Sequence, residues 1–479
     1  MPDRDFQSAP VEVPLPRRGI NIYANIASMH PEEAVSTSNM VLRGALRKRG
    51  GSSKFETDEV QTGKAIVGLT KFYYGSSSSQ VIAASDTDIR YHDGADWQDI
   101  RTIQTAGLDT NMNSWGALDK LYICNGTDTP FSWDGSTASN LSGTGFPAQA
   151  LQVLPYRDRL LFIDNANLGY IGWSRPYKDN EWEALQNASV RPSNKLYGMI
   201  LHSEGNDNRG LDTKVLFAGA TDMHVFSASS LNIVTGDWAV DDLGVDVGCV
   251  ASKTLQWTPR GSVWLGNDGM VYMLPFKSMR PIPIGMKIKG NQPNVDYGTD
   301  SISGNGMSMA CAVYQNGYYI LSYPKNSGVV NDTQMWLDIE NLHQDENGQW
   351  GPWFGPMTGP RISVFANQNG PGDNGGLLGG EALAANGSFV YNLNQIGTSA
   401  DSGSDILCKW EPSYNHFGNP WLTKRATDIE YELMDNQDGY TVNFFDIKNA
   451  IGSPSIIPVT SSRIKYGAAK YGAFKYNSA

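Results

Sequence analysis

The side chains able to act on a substrate are scattered along this chain rather than grouped. Acids are abundant, 49 Asp and Glu in 479 residues. Asp241, Asp242, Asp246, Asp345 and Glu346 are the candidates for a carboxylate pair of the kind that cleaves a glycosidic bond, one acid protonating the leaving oxygen while the other attacks or activates water. No pair among them is flanked by an aromatic floor and an arginine. The six histidines, His30, His92, His202, His224, His343 and His416, lie far apart, with no H-E-x-x-H or H-x-H. A metal site would therefore have to be assembled wholly by the fold, and calcium in "NLHQDENGQW" is a weak alternative. Cys124, Cys249, Cys311 and Cys408 are isolated, without a C-x-x-C, and read as free thiols of a reducing cytosol. No nucleophile elbow and no phosphate loop occurs. The expectation is a protein that is not an enzyme, with no metal and no cofactor.

One charged cluster stands out. "RGALRKRGG" puts Arg43, Arg47, Lys48 and Arg49 in seven positions of a chain whose net charge is -12. These cations could contact a phosphate, or they could end a strand and pair with acidic loops of a neighbouring subunit or blade, which is the favoured reading. An acidic protein does not grip nucleic acid through a general basic surface, although an acidic wall can face DNA without holding it. The amino terminus "MPDRDFQSAP" lacks the apolar core of a secretory leader, and no run approaches the length of a membrane span.

What must position these residues is read from repeats. Gly 51, Tyr 22, Trp 13 and Phe 16, with 18% charged residues, describe a turn-rich chain of short strands, hence all-β. "IAASDTDIRYHDG" from Ile82 is echoed by "YICNGTDTPFSWDG" from Tyr122, and hairpins of the same plan begin at Leu161, Val215, Val263, Ala312 and Ala382. Their turns, at Asp86, Asn125, Asn165, Gly219, Asn267, Asn316 and Asn386, are spaced by 39, 40, 54, 48, 49 and 70 residues. These are blade-sized periods, the last holding an insertion. Asp93-Gly94 and Asp134-Gly135 fall where a third strand passes to a fourth, with Trp97 beginning or covering the outer strand. The pattern predicts a β-propeller of seven blades, or six if one hairpin belongs to an insertion, with sandwich domains in series as the alternative. "YHDGADW" and "SWDGST" resemble the S-x-D-x-G-x-x-W turns of Asp-box sialidases only poorly, lacking the Ser or the Trp. Such turns would in any case speak for fold and not for reaction.

The predicted organisation is an N-terminal segment over 1–60, a propeller over 61–400, and a C-terminal β-domain with a docking tail over 401–479. "HPEEAVSTSNMVL" from His30 predicts a short helix, with Pro31 in its first turn and Glu32 and Glu33 at its positive end. The glycine-rich loop 367–381 reads as an excursion. "RATDIEYELMD" and "GYTVNFFDI" read as two strands around an Asn436–Gly439 turn, and "IKYGAAKYGAFKYNSA" as an extended arm.

The stretch from Gly19 to Phe55, with Gly19 and Asn21, Pro31, Asn39 and Val41, and Arg47 to Gly51, resembles the start of tail nozzle or tail-tube β-propeller proteins of short-tailed bacteriophages. "GCVASKTLQWTPRGSVWLGNDGMVYML" and "CKWEPSYNHFGNPWLTKRATDIEYEL" are similar to a blade and to the C-terminal domain of that family, whereas the K-Y-G-A tail departs from it. The resemblance implies a structural virion protein that extends the portal-adaptor channel as a hexameric ring and gates or conducts genome ejection. It further implies assembly in the bacterial host cytoplasm, a head-to-tail adaptor and tail fibre, tailspike or needle proteins as partners, and viral DNA passing through the lumen. A glycan-binding or glycan-cleaving propeller is the alternative. It would need exposed Trp or Tyr at the propeller mouth beside paired acids, whereas a tube component would place aromatics at subunit interfaces.

Overall fold

The computed structural model describes residues 14–413, apart from 26–27, 76–77, 103, 168, 190–194, 205–212, 229–237, 291–295, 303, 326–327, 329, 367–381 and 396–399, together with 441–442 and 457–458. The chain divides into two compact units, one from Leu15 to Tyr414 and the other made of Met1–Pro14 with Asn415–Ala479. In the second, Thr441–Val442 pairs antiparallel with Ile457–Pro458. The remainder of the expected C-terminal strands, the K-Y-G-A tail and the glycine-rich loop lie outside the described residues.

The larger unit is a seven-bladed β-propeller. Six antiparallel sheets of four strands follow in chain order, with first strands Ile66–Tyr74, Asn111–Trp115, Ala150–Tyr156, Leu196–His202, Gln256–Thr258 and Cys311–Gln315. The seventh blade takes Val364–Phe365, Ala382–Asn386 and Phe389–Gln395, and its fourth strand is Gly51–Lys54 from the other end of the blade sequence. The first strands of consecutive blades pack side by side, and the seventh packs on the first, so the ring is closed.

The core explains the sequence pattern. Seven apolar clusters each fill the space between the facing sheets of two neighbouring blades. In the second strand of blade 2, Leu121 and Ile123 face blade 1, while Tyr122 and Cys124 face blade 3. Because successive side chains point to opposite faces, a blade strand buried on both faces reads as continuous apolar sequence with a turn on either side. Those are the repeated hairpins. Six of the seven predicted turns join second to third strands, and Trp97 begins the outer strand Trp97–Arg101 of blade 1. Asn316-Gly317 instead joins the first and second strands of blade 6, whose second-to-third link spans 324–332.

The inner seam is polar. Thr110 N–H donates to Val67 O at 3.3 Å, Asn111 Nδ2 to Leu151 O at 3.0 Å, and Gln152 Nε2 to Met199 O at 3.0 Å. Gly68 permits the close approach of blades 1 and 2, since a Cβ there would lie 2.7 Å from Thr110 O.

Two expectations are corrected. No helix forms over the stretch from His30. Pro31 and Glu32 make a turn closed by Glu33 N–H to His30 O at 2.9 Å, and Ala34–Ser38 and Met40–Arg43 are strands. Val35 and Thr37 are β-branched and Ser36 and Ser38 compete for backbone hydrogen bonds, so the run disfavours a helix, while Lys409–Pro412 offers a ladder. Gly51–Lys54, within the expected segment 1–60, is likewise not outside the ring. Among the described residues no later strand ladders onto the third strand of blade 7, and Gly51–Lys54 fills that edge, while Ala34–Ser38 ties Lys409–Pro412 to the same unit.

Candidate functional site: the amino-terminal clamp and the axial mouth

The basic cluster is divided by the Met40–Arg43 and Ala45–Lys48 hairpin that precedes the closing strand. Arg49 is buried. Its Nε donates to Asn39 Oδ1 at 3.1 Å, Nη1 to Asp401 Oδ1 at 3.0 Å, Nη2 to Thr358 O at 2.5 Å, and it forms an ion pair with Asp401. The fork geometry of a guanidinium suits this bidentate use. Arg43 lies over the Tyr318 ring at 4.7 Å, donates to Asn316 O, and stands 3.8 Å from Glu340. Both therefore meet acids of their own chain. Arg47 is exposed and Lys48 half-buried, and neither reaches a carboxylate among the described residues.

A second cluster, spread too widely in sequence to form a motif, is more deeply enclosed. Lys287 follows the outer strand of blade 5, and its side chain is 1% exposed. Its Nζ stands 2.8 Å from Glu33 Oε1 and 2.9 Å from Asp345 Oδ2, whose side chains are 4% and 2% exposed. Asn21 Nδ2 donates to Glu33 Oε1 at 3.1 Å and to Gln349 Oε1 at 2.9 Å, and the His30 N–H donates to Glu33 Oε2. Burial opposes ionisation of Asp345, but Lys287 and the N–H groups of Gln349 and Asn347 hold its carboxyl below the usual carboxylate range. The amino-terminal segment, the link between blades 5 and 6, and a hairpin inserted in blade 6 (His343–Gln344 with Trp350–Gly351) are thus locked at one point. Gly19, at φ +73°, lets the segment lie on blade 6: Ile20 N–H donates to Trp353 O at 2.7 Å, and a Cβ on Gly19 would lie 2.2 Å from that oxygen.

The axis of the ring is bridged. Asp109 lies two residues before the inner strand of blade 2, and Lys253 lies in the short 3-10 turn Ser252–Thr254 that leads into the inner strand of blade 5, as far apart as a seven-membered ring allows. Yet Lys253 Nζ stands 2.5 Å from Asp109 Oδ1. Burial pushes the Cys311 thiol, at the start of the inner strand of blade 6, up to about 12, and the Lys253 and Asp109 charges also act on it. Lys253 and Asp109 therefore meet across the ring, while Cys311 is buried in the core between blades 6 and 7, its thiol donating to Ile362 O.

The remaining chemical candidates are not brought together. Asp241 and Asp242 end the exposed outer strand of blade 4 and Asp246 follows it, while Asp345 and Glu346 pair with Lys287 and Arg18. His202 Nδ1 lies 2.9 Å from Ser262 Oγ, and burial pushes its pKa down to about 4, with the Lys214 charge adding to the shift. His224 Nε2 is 3.3 Å from Asp222 Oδ2, both buried. Cys124, Cys249 and Cys311 are buried thiols, and Cys408 is exposed. Among the described residues no group of three or more His, Cys, Asp or Glu is placed to hold a metal, and no helix is long and apolar enough to cross a membrane. Trp115, Trp133, Trp173, Trp182, Trp264, Trp336 and Trp353 lie in the cores between blades, and of the described tryptophans only Trp238 is exposed.

No family model matches the chain, and no curated protein matches it. Among solved structures it is similar to the WD40 β-propeller domain of Doa1, at 11% identity over 73% of this chain and 97% of that one, with a TM-score of 0.40. It is also similar to the AfRom2 CNH domain, at 10% identity over 72% and 99% with a TM-score of 0.43. YCF48 bound to D1 peptide matches at 8% identity over 74% and 98%, with a TM-score of 0.42. The ring of seven blades rests on the chain's own ladders and cores.

Proposed function

We propose that this chain is a structural, non-enzymatic component of a short phage tail, one copy of a ring-shaped nozzle that extends the portal-adaptor channel through which the genome leaves. The observation that carries the reading is where the resembling residues lie. Gly19 and Asn21 seat the amino-terminal segment, and Asn39 at φ +58° bonds Arg49, Thr358 and Leu407. Arg49 and Gly51 then lead into the strand that closes the ring. A motif that otherwise looks degenerate is thus one physical device, a clamp that fixes the segment from Gly19 to Gly51 to the last two blades.

In this reading the chain works by shape, and it belongs to the virion tail after assembly in the bacterial cytoplasm. A duplex whose major groove alone is about 12 Å wide cannot share an axis with the Lys253–Asp109 bridge. The conduit therefore lies between copies, with each propeller forming part of its wall. A net charge of -12 suits such a wall, since each phosphate neutralised by a fixed cation would add to retention. Mass photometry of the purified chain, alone and mixed with the head-to-tail adaptor complex, tests the reading. A ring of about six copies on the adaptor supports it. A chain that stays single in both mixtures and binds oligosaccharide overturns it.

A further inference from the structure

The way the propeller treats its outer edges differs from blade to blade. An outer strand leaves a row of N–H and C=O groups unpaired, and folded proteins shorten, cover or interrupt such edges. Blade 2 ends on three residues, Ala138–Asn140, and blade 5 on Ile282–Pro283. The outer strand of blade 6 is bonded by the amino-terminal segment through Ile20 and Asn39. The closing strand of blade 7 meets Asp401 and Ser402. Blades 1, 3 and 4 show none of these devices among the described residues, Trp97–Arg101 and Trp182–Ser189 each laddering only with the third strand of its own blade, but of these three outer strands that of blade 4 alone carries two adjacent acids. The outer strand of blade 4, Trp238–Asp242, ladders only with Met223–Ala228 among the described residues. It presents exposed Trp238, Ala239, Asp241 and Asp242, with the Oδ1 of Asp242 accepting from Gly244 N–H.

A second open edge lies on a different flank. The strand Ala45–Lys48 ladders only with Met40–Arg43 among the described residues, and this hairpin stands beside blade 6, where Arg43 meets Tyr318. It carries the two cations of the basic cluster that reach no carboxylate among the described residues, Arg47 and Lys48.

Resting on the ring reading above, we propose that these two edges are one interface: the Ala45–Lys48 strand of one copy adds to the outer strand of blade 4 of the next. Main-chain hydrogen bonds between the two edges supply the attraction, and alternation supplies the specificity. Adjacent Arg47 and Lys48 point to opposite faces of their strand, as do adjacent Asp241 and Asp242. The added strand therefore sets one opposite-charge pair on each face. Because the two edges belong to different flanks, the contact is heterologous: each copy uses its hairpin once and its blade 4 once, which closes into a ring when the rotation allows. Like charges on either pair of edges would oppose the contact.

The test is analytical ultracentrifugation of the full chain and of two charge-reversed variants, Arg47→Glu with Lys48→Glu, and Asp241→Lys with Asp242→Lys. The wild type self-associates at high micromolar concentration and low salt, and the association weakens as salt screens the pairs. Each variant alone sediments as a monomer. An equal mixture of the two regains assembly, because every hairpin then meets an edge of opposite sign, and that recovery also shows that both variants fold. A wild type that stays monomeric, variants that assemble like it, or a mixture that stays monomeric overturns the strand pairing. Adding the adaptor complex to the same samples separates this failure from failure of the nozzle reading. A ring formed on the adaptor by variants and wild type alike removes only the interface, whereas no ring at all removes both.

Discussion

Replacing Lys287 with methionine tests whether the clamp is held by its buried charge. The substitution keeps length and apolar bulk but leaves Glu33 and Asp345, whose side chains are 4% and 2% exposed, facing each other without their shared cation. Removing one partner of a buried ion pair costs about 3–5 kcal/mol, mostly because the remaining charge is stranded. A domain's whole stability is about 5–15 kcal/mol, so Lys287→Met should free the amino-terminal segment well before the blades unfold. Limited proteolysis across residues 15–50, combined with urea titration, reads the two events separately. Carrying Glu33→Gln and Asp345→Asn alongside Lys287→Met removes the stranded charges and should recover most of the loss. The pH dependence has a definite sign. Asp345 is depressed in the folded chain, so its contribution is present above the unfolded carboxylate value near 4 and is lost as pH falls through the lower folded value. Without Lys287, acid should release the segment at a higher pH. A Lys287→Met variant within about 1 kcal/mol of wild type, as for an exposed pair, would refute the reasoning.

Other perturbations follow from single sites. Gly19→Ala meets Trp353 O at 2.2 Å as well as a positive φ, while Gly44→Ala at φ +72° meets nothing within 4 Å. Urea titration should show a loss of about 1–3 kcal/mol at Gly44 and a larger one at Gly19. His202 is held neutral down to about 4. The unfolded chain therefore binds the extra proton first, and stability falls as pH drops from about 6.5 to that value, then levels. His202→Gln should flatten this window in pH-dependent melting. A thiol reagent followed by mass spectrometry should label Cys408 in the native chain and reach Cys124, Cys249 and Cys311 only after unfolding. On the proposed nozzle reading, in which the conduit lies between copies, Lys253→Met removes the axial bridge and should leave genome ejection unchanged.

The blades were legible because both faces of their middle strands are buried, so strand identity and turn position were written locally. Asn316-Gly317 is the hairpin turn its residues announce, but it serves a first-to-second hairpin where the other six serve second-to-third ones, a difference that an Asn-Gly pair does not encode. Pro31, Glu32 and Glu33 imitated a helix start, but Glu33 instead carries its carboxylate into the clamp with Lys287, 254 residues away. Nothing local marks such a pairing, nor that of Lys253 with Asp109, 144 residues apart. Of the basic cluster, the sequence distinguished the cations from their acidic surroundings, but not Arg49, which serves the closure, from exposed Arg47 and half-buried Lys48, which reach no carboxylate among the described residues.

Electron cryo-microscopy of the short phage tail to which the proposal assigns this chain tests the central claim most directly. The account predicts seven-bladed discs arranged around the tail axis, the channel running between them and each disc's own axis closed by Lys253 and Asp109. Particles that lack the chain, or that carry the duplex through the centre of a single propeller, would contradict it.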